Sequence, residues 1–198
     1  MTSSFTTAVK AAATSTCLNS PTQGTGVSNR DGRSIYQRGI RVNYDVHWLA
    51  TSNSVTPEYP SMMFAVVLDT QCNQTALTSA ALIFTTLTSQ ILTVPFRDME
   101  YTTRFKVLCK VLINPNAISA CVTPGSATET TRVGYHKSGS VYCNLKGLRT
   151  QFNANAGNVT DISDNALYLV AIANDSSSHK SVYFTYESRL YFTSAYVK

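Results

Sequence analysis

The sequence predicts an all-β protein, a sandwich or jelly roll of about eight strands with long loops and at most one or two short helices. Three observations carry that expectation. Hydroxyl and aromatic side chains dominate: of 198 residues 48 are Ser or Thr, 11 are Tyr and 8 are Phe, while only 14% are charged. Thr, Tyr, Phe and Val favour pleated surfaces. Two segments place apolar side chains at every second position, the period of a strand buried on one face. Two more are short and apolar throughout, as strands buried on both faces are.

Residues 1–33 are rich in Ser, Thr and Ala, with Lys10 as the only charge before Arg30. Phe5 to Leu18 holds a weak strand, and Pro21 to Gly32 is a loop in which Gly24, Gly26 and Gly32 supply turn conformations. In Ile40–Trp48 the even positions are Ile40, Val42, Tyr44, Val46 and Trp48, and the odd ones are Arg41, Asn43, Asp45 and His47. Ser61–Asp69 is a nearly continuous apolar run, expected to be buried on both faces. Thr75–Leu87 is ambiguous: Ala76, Ala80, Phe84 and Leu87 fit a short helix, and the threonines dilute it.

Arg104–Ile113 alternates again, with Phe105, Val107, Cys109, Val111 and Ile113 on one face and Arg104, Lys106, Leu108, Lys110 and Leu112 on the other. Asn114-Pro115-Asn116 ends it. Thr131–Lys137, a Ser138-Gly139 turn and Val141–Phe152 read as a hairpin. Ala166–Ala173 is a second buried strand, Asp175–His179 a polar turn, and Val182–Ala195 a final strand rich in Tyr and Phe. Nothing resembles a linker. Residues 1–198 therefore read as one domain, with 1–33 as an N-terminal segment carrying the first strand and loop, and 34–198 as the main body.

Catalytic signatures are missing. No GxSxG elbow, phosphate loop or dinucleotide fingerprint occurs, so no enzyme activity and no cofactor are expected. His47, His136 and His179 share no metal-ligand spacing with each other or with the cysteines, so no metal site is expected. Asp161 and Asp164 read as turn formers. The five cysteines form no CxxC; with no secretion signal, reduced thiols are the default, and the sequons at Asn73, Asn158 and Asn174 carry little weight. No segment reaches the ~20 apolar residues of a membrane helix. The net charge of +5 tilts towards an anionic partner. Candidate phosphate contacts are Lys10, Arg38, Arg41, Arg104, Lys106 and Lys110. No aromatic interleaving around them marks a stacking platform, so binding is expected to be electrostatic and independent of base sequence.

Several strings, in order, resemble one family. Gly24-Thr25-Gly26…Asn29-Arg30-Asp31-Gly32-Arg33…Gly39-Ile40-Arg41-Val42 is similar to the opening of single jelly-roll capsid proteins from small circular single-stranded DNA viruses and plant satellite viruses. Arg104-Phe105-Lys106-Val107-Leu108, Leu145-Lys146-Gly147-Leu148, Asp164-Asn165-Ala166-Leu167-Tyr168 and Ser188-Arg189-Leu190-Tyr191-Phe192 resemble later strands of that family. The resemblance runs loosely from Gly24 to the C-terminus. It implies an eight-stranded antiparallel jelly roll of the viral capsid type, and a structural protein that self-assembles into a small icosahedral (T=1) shell of about sixty copies. The shell would enclose a single-stranded DNA or RNA genome. The virion is the implied location, with assembly in the nucleus or cytoplasm of the host cell. The alternative is a lectin-like, carbohydrate-binding jelly roll. That reading wants exposed aromatic platforms and acidic loops, whereas acids are scarce and Trp48 is the only Trp.

The sequence departs from the family in one respect. Its members usually carry an Arg/Lys-rich N-terminal arm, whereas residues 1–29 hold only Lys10. At +5 per chain, about sixty copies supply roughly +300, against ~1000 or more phosphates. Weak packaging by this chain alone is the expectation.

Overall fold

In the computed structural model, residues 2–9, 14–50, 61–78, 82–84, 97–114, 135–173 and 180–194 are described. They form nine strands: β1 (Thr2–Val9), β2 (Thr14–Cys17), β3 (Ser34–Ala50), β4 (Met62–Asp69), β5 (Phe105–Ile113), β6 (Tyr135–Phe152), β7 (Ile162–Asp164), β8 (Ala166–Ala173) and β9 (Lys180–Ser194). One 3-10 turn, Val159–Asp161, precedes β7. All ladder pairs are antiparallel, in a five-stranded sheet β1-β9-β3-β6-β7 and a four-stranded sheet β2-β8-β4-β5.

Leaving aside the three-residue β7, the pairing is nested. β4 pairs with β5, β3 with β6, β2 with β8, and β1 with β9. This is one long two-stranded ribbon. Rolling it up adds the β3–β9 and β4–β8 ladders and closes two four-stranded layers, the jelly roll.

The one-sided strand behaves as its period demands. Ile40, Val42, Val46 and Trp48 are buried, Tyr44 packs against the core, and Arg41, Asn43 and His47 are exposed. β4 and β8, both inside the four-stranded sheet, are buried at every position. Between the layers Tyr44 meets Phe64 at 4.9 Å, Phe64 meets Phe184 at 5.2 Å and Phe184 meets Tyr186 at 5.6 Å. β5 buries its ends and half-buries Val107, Cys109 and Val111, while Lys106, Leu108, Lys110 and Leu112 face outwards. Cys109 of β5 and Cys143 of β6 meet across the layers, Sγ to Sγ at 2.7 Å. Among the described residues Cys17, Cys72, Cys109 and Cys143 are free thiols.

Some expectations change. The weak strand over Phe5 to Leu18 is two strands in different layers. The hairpin at Ser138-Gly139 does not exist: β6 runs unbroken through it, paired with β3 from Trp48↔Tyr135 to Asn43↔Ser140. Gly139 is there because the Tyr44 ring lies over it, and a Cβ would meet that ring. The strand's real irregularity is at Lys146 and Gly147, both with positive φ, opposite a register shift between Gln37 and Gly39. Residues 75–78 have no regular structure, and most of 79–87 lies outside the described residues, as do 115–134 and the turn at 175–179.

Two buried polar groups tie the layers to their loops. Asn19 donates to Thr150 Oγ1 (3.2 Å) and to the Asn165 carbonyl (2.9 Å), and accepts from the Leu167 amide (2.8 Å). Arg30 is fully buried, donating to the carbonyls of Pro21, Gly32 and Ala154, with its guanidinium 4.1 Å from the centre of the Phe152 ring. Burial pushes its pKa down, and Asp161 opposes that shift.

Face assignment on β3 gives a stability test. Val42→Asp places a charge in the apolar layer and should cost ~3 kcal/mol or more, collapsing soluble expression. Asn43→Asp on the outer face should leave the melting temperature nearly unchanged. Equal tolerance at both positions would overturn the assignment.

Candidate nucleic-acid interface

The structure divides the predicted cations among several environments. Lys10 lies outside the described residues. Arg104 precedes β5 and turns back to Asp69 at the end of β4, its Nε and a terminal nitrogen each 2.9 Å from a carboxylate oxygen. Asp69 is fully buried and also accepts from the Gln71 amide. That bidentate pair raises the pKa of Arg104, and its charge is matched inside the molecule. Lys106 and Lys110 stay together on the outer face of β5, an edge strand. Exposed Leu108 and Leu112 alternate with them.

Arg38 and Arg41 lie on the opposite side of the sandwich, exposed on the outer face of the five-stranded sheet. The register adds partners that sequence reading missed. Arg41 stands directly across from Arg189 on β9 and Tyr142 on β6, and Tyr36 stands across from Arg149. All of these are exposed. Tyr191 completes the patch, its ring centre 6.4 Å from that of Tyr142 in an edge-on arrangement. Tyr36, Tyr142 and Tyr191 are 43%, 51% and 40% exposed, high for rings of their size. A Cβ at Gly39 would run into the Tyr142 ring, so this glycine lets the ring lie flat on the sheet. Beside the patch a cleft of about 700 Å³ is lined by Arg38, Tyr191 and the 25–31 loop. Glu187, across from Asn43, is the acid nearest to this group in the ladder.

Four arginines interleaved with three tyrosines therefore share one face, contrary to the expectation of no aromatic interleaving. The spacing Tyr36-x-Arg38 and Arg189-x-Tyr191 was the available signal, since residues two apart on a strand share a face. A bulge at Arg38 blurs the first, and only the fold brings the two spacings together.

At the far end of the same outer face, Asp45, His47 and His136 converge, their ligand atoms all within 4.8 Å of one another. The sequence separates His136 from the other two. The β3–β6 register places it directly opposite His47.

A jelly roll bearing a cationic, tyrosine-studded face belongs to the class of shell-forming or ligand-binding β-sandwich subunits. Comparison with known proteins identifies which. The chain belongs to the geminivirus coat protein/nuclear export factor BR1 family, whose model matches residues 2–198. It is a structural coat protein of a single-stranded DNA virus, not an enzyme, and its place is the virion; the sugar-binding alternative finds no support. Comparison with curated proteins gives no match. A solved "60-mer BFDV Capsid Protein" aligns over 97% of this chain and 92% of its own at 8% identity, with a TM-score of 0.18, a likeness too loose to carry any argument.

Proposed function

We propose that the protein self-assembles into a closed icosahedral shell of about sixty copies around single-stranded DNA, which the outer face of the five-stranded sheet contacts. The coat-protein family match over residues 2–198 carries the shell-forming part. Exposed apolar side chains are available for such contacts: Leu108 and Leu112 lie along the edge strand β5, and Val27 and Met99 stand out on loops. Buried against neighbouring copies, such residues give small energies that symmetry multiplies.

The nucleic-acid part rests on the arginine–tyrosine patch. Arg38, Arg41, Arg149 and Arg189 neutralise phosphates, while Tyr36, Tyr142 and Tyr191 offer ring faces and edges to unpaired bases. Lys106 and Lys110, interleaved with leucines, fit a contact between copies better, and Arg104 serves the fold through Asp69. Residues 1–198 act as one domain in this reading. No membrane step is required, and assembly takes place inside the host cell.

Purified protein at neutral pH and moderate salt should give hollow megadalton particles by electron microscopy and size-exclusion chromatography. A species that stays monomeric as concentration rises would overturn the assembly reading.

A further inference from the structure

We propose that Asp45, His47 and His136 bind one divalent transition-metal ion per chain, with Zn²⁺ the best fit. The period of β3 puts Asp45 and His47 on the same outer face, and the register His47↔His136 adds the third ligand from β6. The two imidazoles stack with centres 4.6 Å apart, and both turn Nε2 towards one carboxylate. His47 Nε2 lies 2.8 Å from Asp45 Oδ2, and His136 Nε2 lies against Oδ1. Asp45 Oδ1 is closed off from solvent and receives no well-aligned hydrogen bond. His136 Nε2 is its neighbour, so the carboxylate and both imidazole nitrogens gather at one spot.

Two imidazoles and a carboxylate select the ion. Ca²⁺ and Mg²⁺ want oxygen ligands, whereas imidazole nitrogen suits Zn²⁺ and its neighbours in the first transition row. Bonds of about 2.0–2.1 Å in a tetrahedron place ligand atoms roughly 3.3 Å apart. The observed spacing, from hydrogen-bonding distance up to 4.8 Å, brackets that value. Both rings are about half exposed, and turning them by about an ångström brings the three ligand atoms to that spacing. The fourth position opens to solvent on the outer face, where water or a side chain of another copy fits. The site is four residues along β3 from Arg41, about 13 Å away, and stands on the strand register alone, independent of the nucleic-acid reading.

The test is a calorimetric titration of Zn²⁺ into metal-stripped protein kept reduced, with Co²⁺ as a spectroscopic probe. One ion per chain is expected. Loss of an outer-shell partner alone weakens metal sites about 10–100-fold, so His47→Ala or His136→Ala should exceed that range and Asp45→Asn should weaken binding as well. All three side chains are at least partly exposed, so circular dichroism of each metal-free variant should match the wild type. Co²⁺ should give tetrahedral visible bands without a thiolate charge-transfer band. Binding that survives the His47→Ala/His136→Ala double variant, or that shows the thiolate band, would put the ion on the cysteines and overturn the proposal. No binding at ~100 μM Zn²⁺, a Kd that would correspond to only about 5.5 kcal/mol, would overturn it too.

Discussion

Arg30→Ala should destabilise the subunit by on the order of 3–5 kcal/mol, the largest effect expected of any loop substitution here. The guanidinium is fully buried and reaches three carbonyls, those of Pro21, Gly32 and Ala154, from different parts of the chain. Removing it orphans the buried Pro21 carbonyl and leaves the partly buried carbonyls of Gly32 and Ala154 without their donor; an orphaned buried group costs about 1–3 kcal/mol. The contact with the Phe152 ring at 4.1 Å is lost as well. Asp161, which caps the 3-10 turn by accepting from the amides of Gly157 (2.7 Å) and Asn158 (3.0 Å), loses the nearby positive charge. Arg30→Lys should recover little, because an ammonium on a flexible stem cannot reach three diverging carbonyls at once. For a domain of this size the loss corresponds to a fall in melting temperature of roughly 10 °C, measurable by calorimetry on dissociated subunits. A shift of only a degree or two would show that the loop over residues 21–33 holds its shape without the arginine.

The fold was legible where burial is one-sided or complete. Ile40–Trp48 could be read because the core takes every second side chain, and Met62–Asp69 and Ala166–Ala173 because every one of their positions is buried. What failed had a common cause. Gly139 looks like a turn residue, yet it sits in mid-strand under Tyr44; a glycine that makes room for a neighbour has the same local chemistry as one that turns the chain. β7 is three residues long, too short for any period. The partner of a charged residue was equally hidden. Arg104 was visible as a cation, but Asp69 reaches it only through the β4–β5 register. The same limit concealed the arginine–tyrosine patch and the Asp45–His47–His136 cluster. Each draws on strands far apart in sequence, and only the nested pairing of the jelly roll makes them neighbours.

Binding of unrelated single-stranded oligonucleotides should fall steeply with salt and ignore base sequence, and the arginine–tyrosine face should account for it. For single strands, log K changes with log[salt] by about −0.7 per neutralised phosphate. The triple variant Arg38→Ala/Arg41→Ala/Arg189→Ala should therefore flatten the slope by about 2. Between 50 and 200 mM salt each lost contact changes the affinity ratio about 2.6-fold, so three change it by well over tenfold. Tyr142→Ala tests the other half of the platform. Its ring is 51% exposed and lies flat over Gly39, and stacking on such a ring is worth about 1–3 kcal/mol per base. That loss should appear as a uniform weakening at every salt concentration with the slope unchanged, since no charge is removed. Gly39→Ala should imitate it by lifting the ring off the sheet. Lys106→Ala/Lys110→Ala is the contrast, on the opposite side of the sandwich, and should leave the slope intact. A flat salt dependence or a preference for one base sequence would overturn the electrostatic picture. A slope reduced by the lysine pair but not by the arginine triple would move the nucleic acid to the four-stranded sheet and turn the subunit around in the shell.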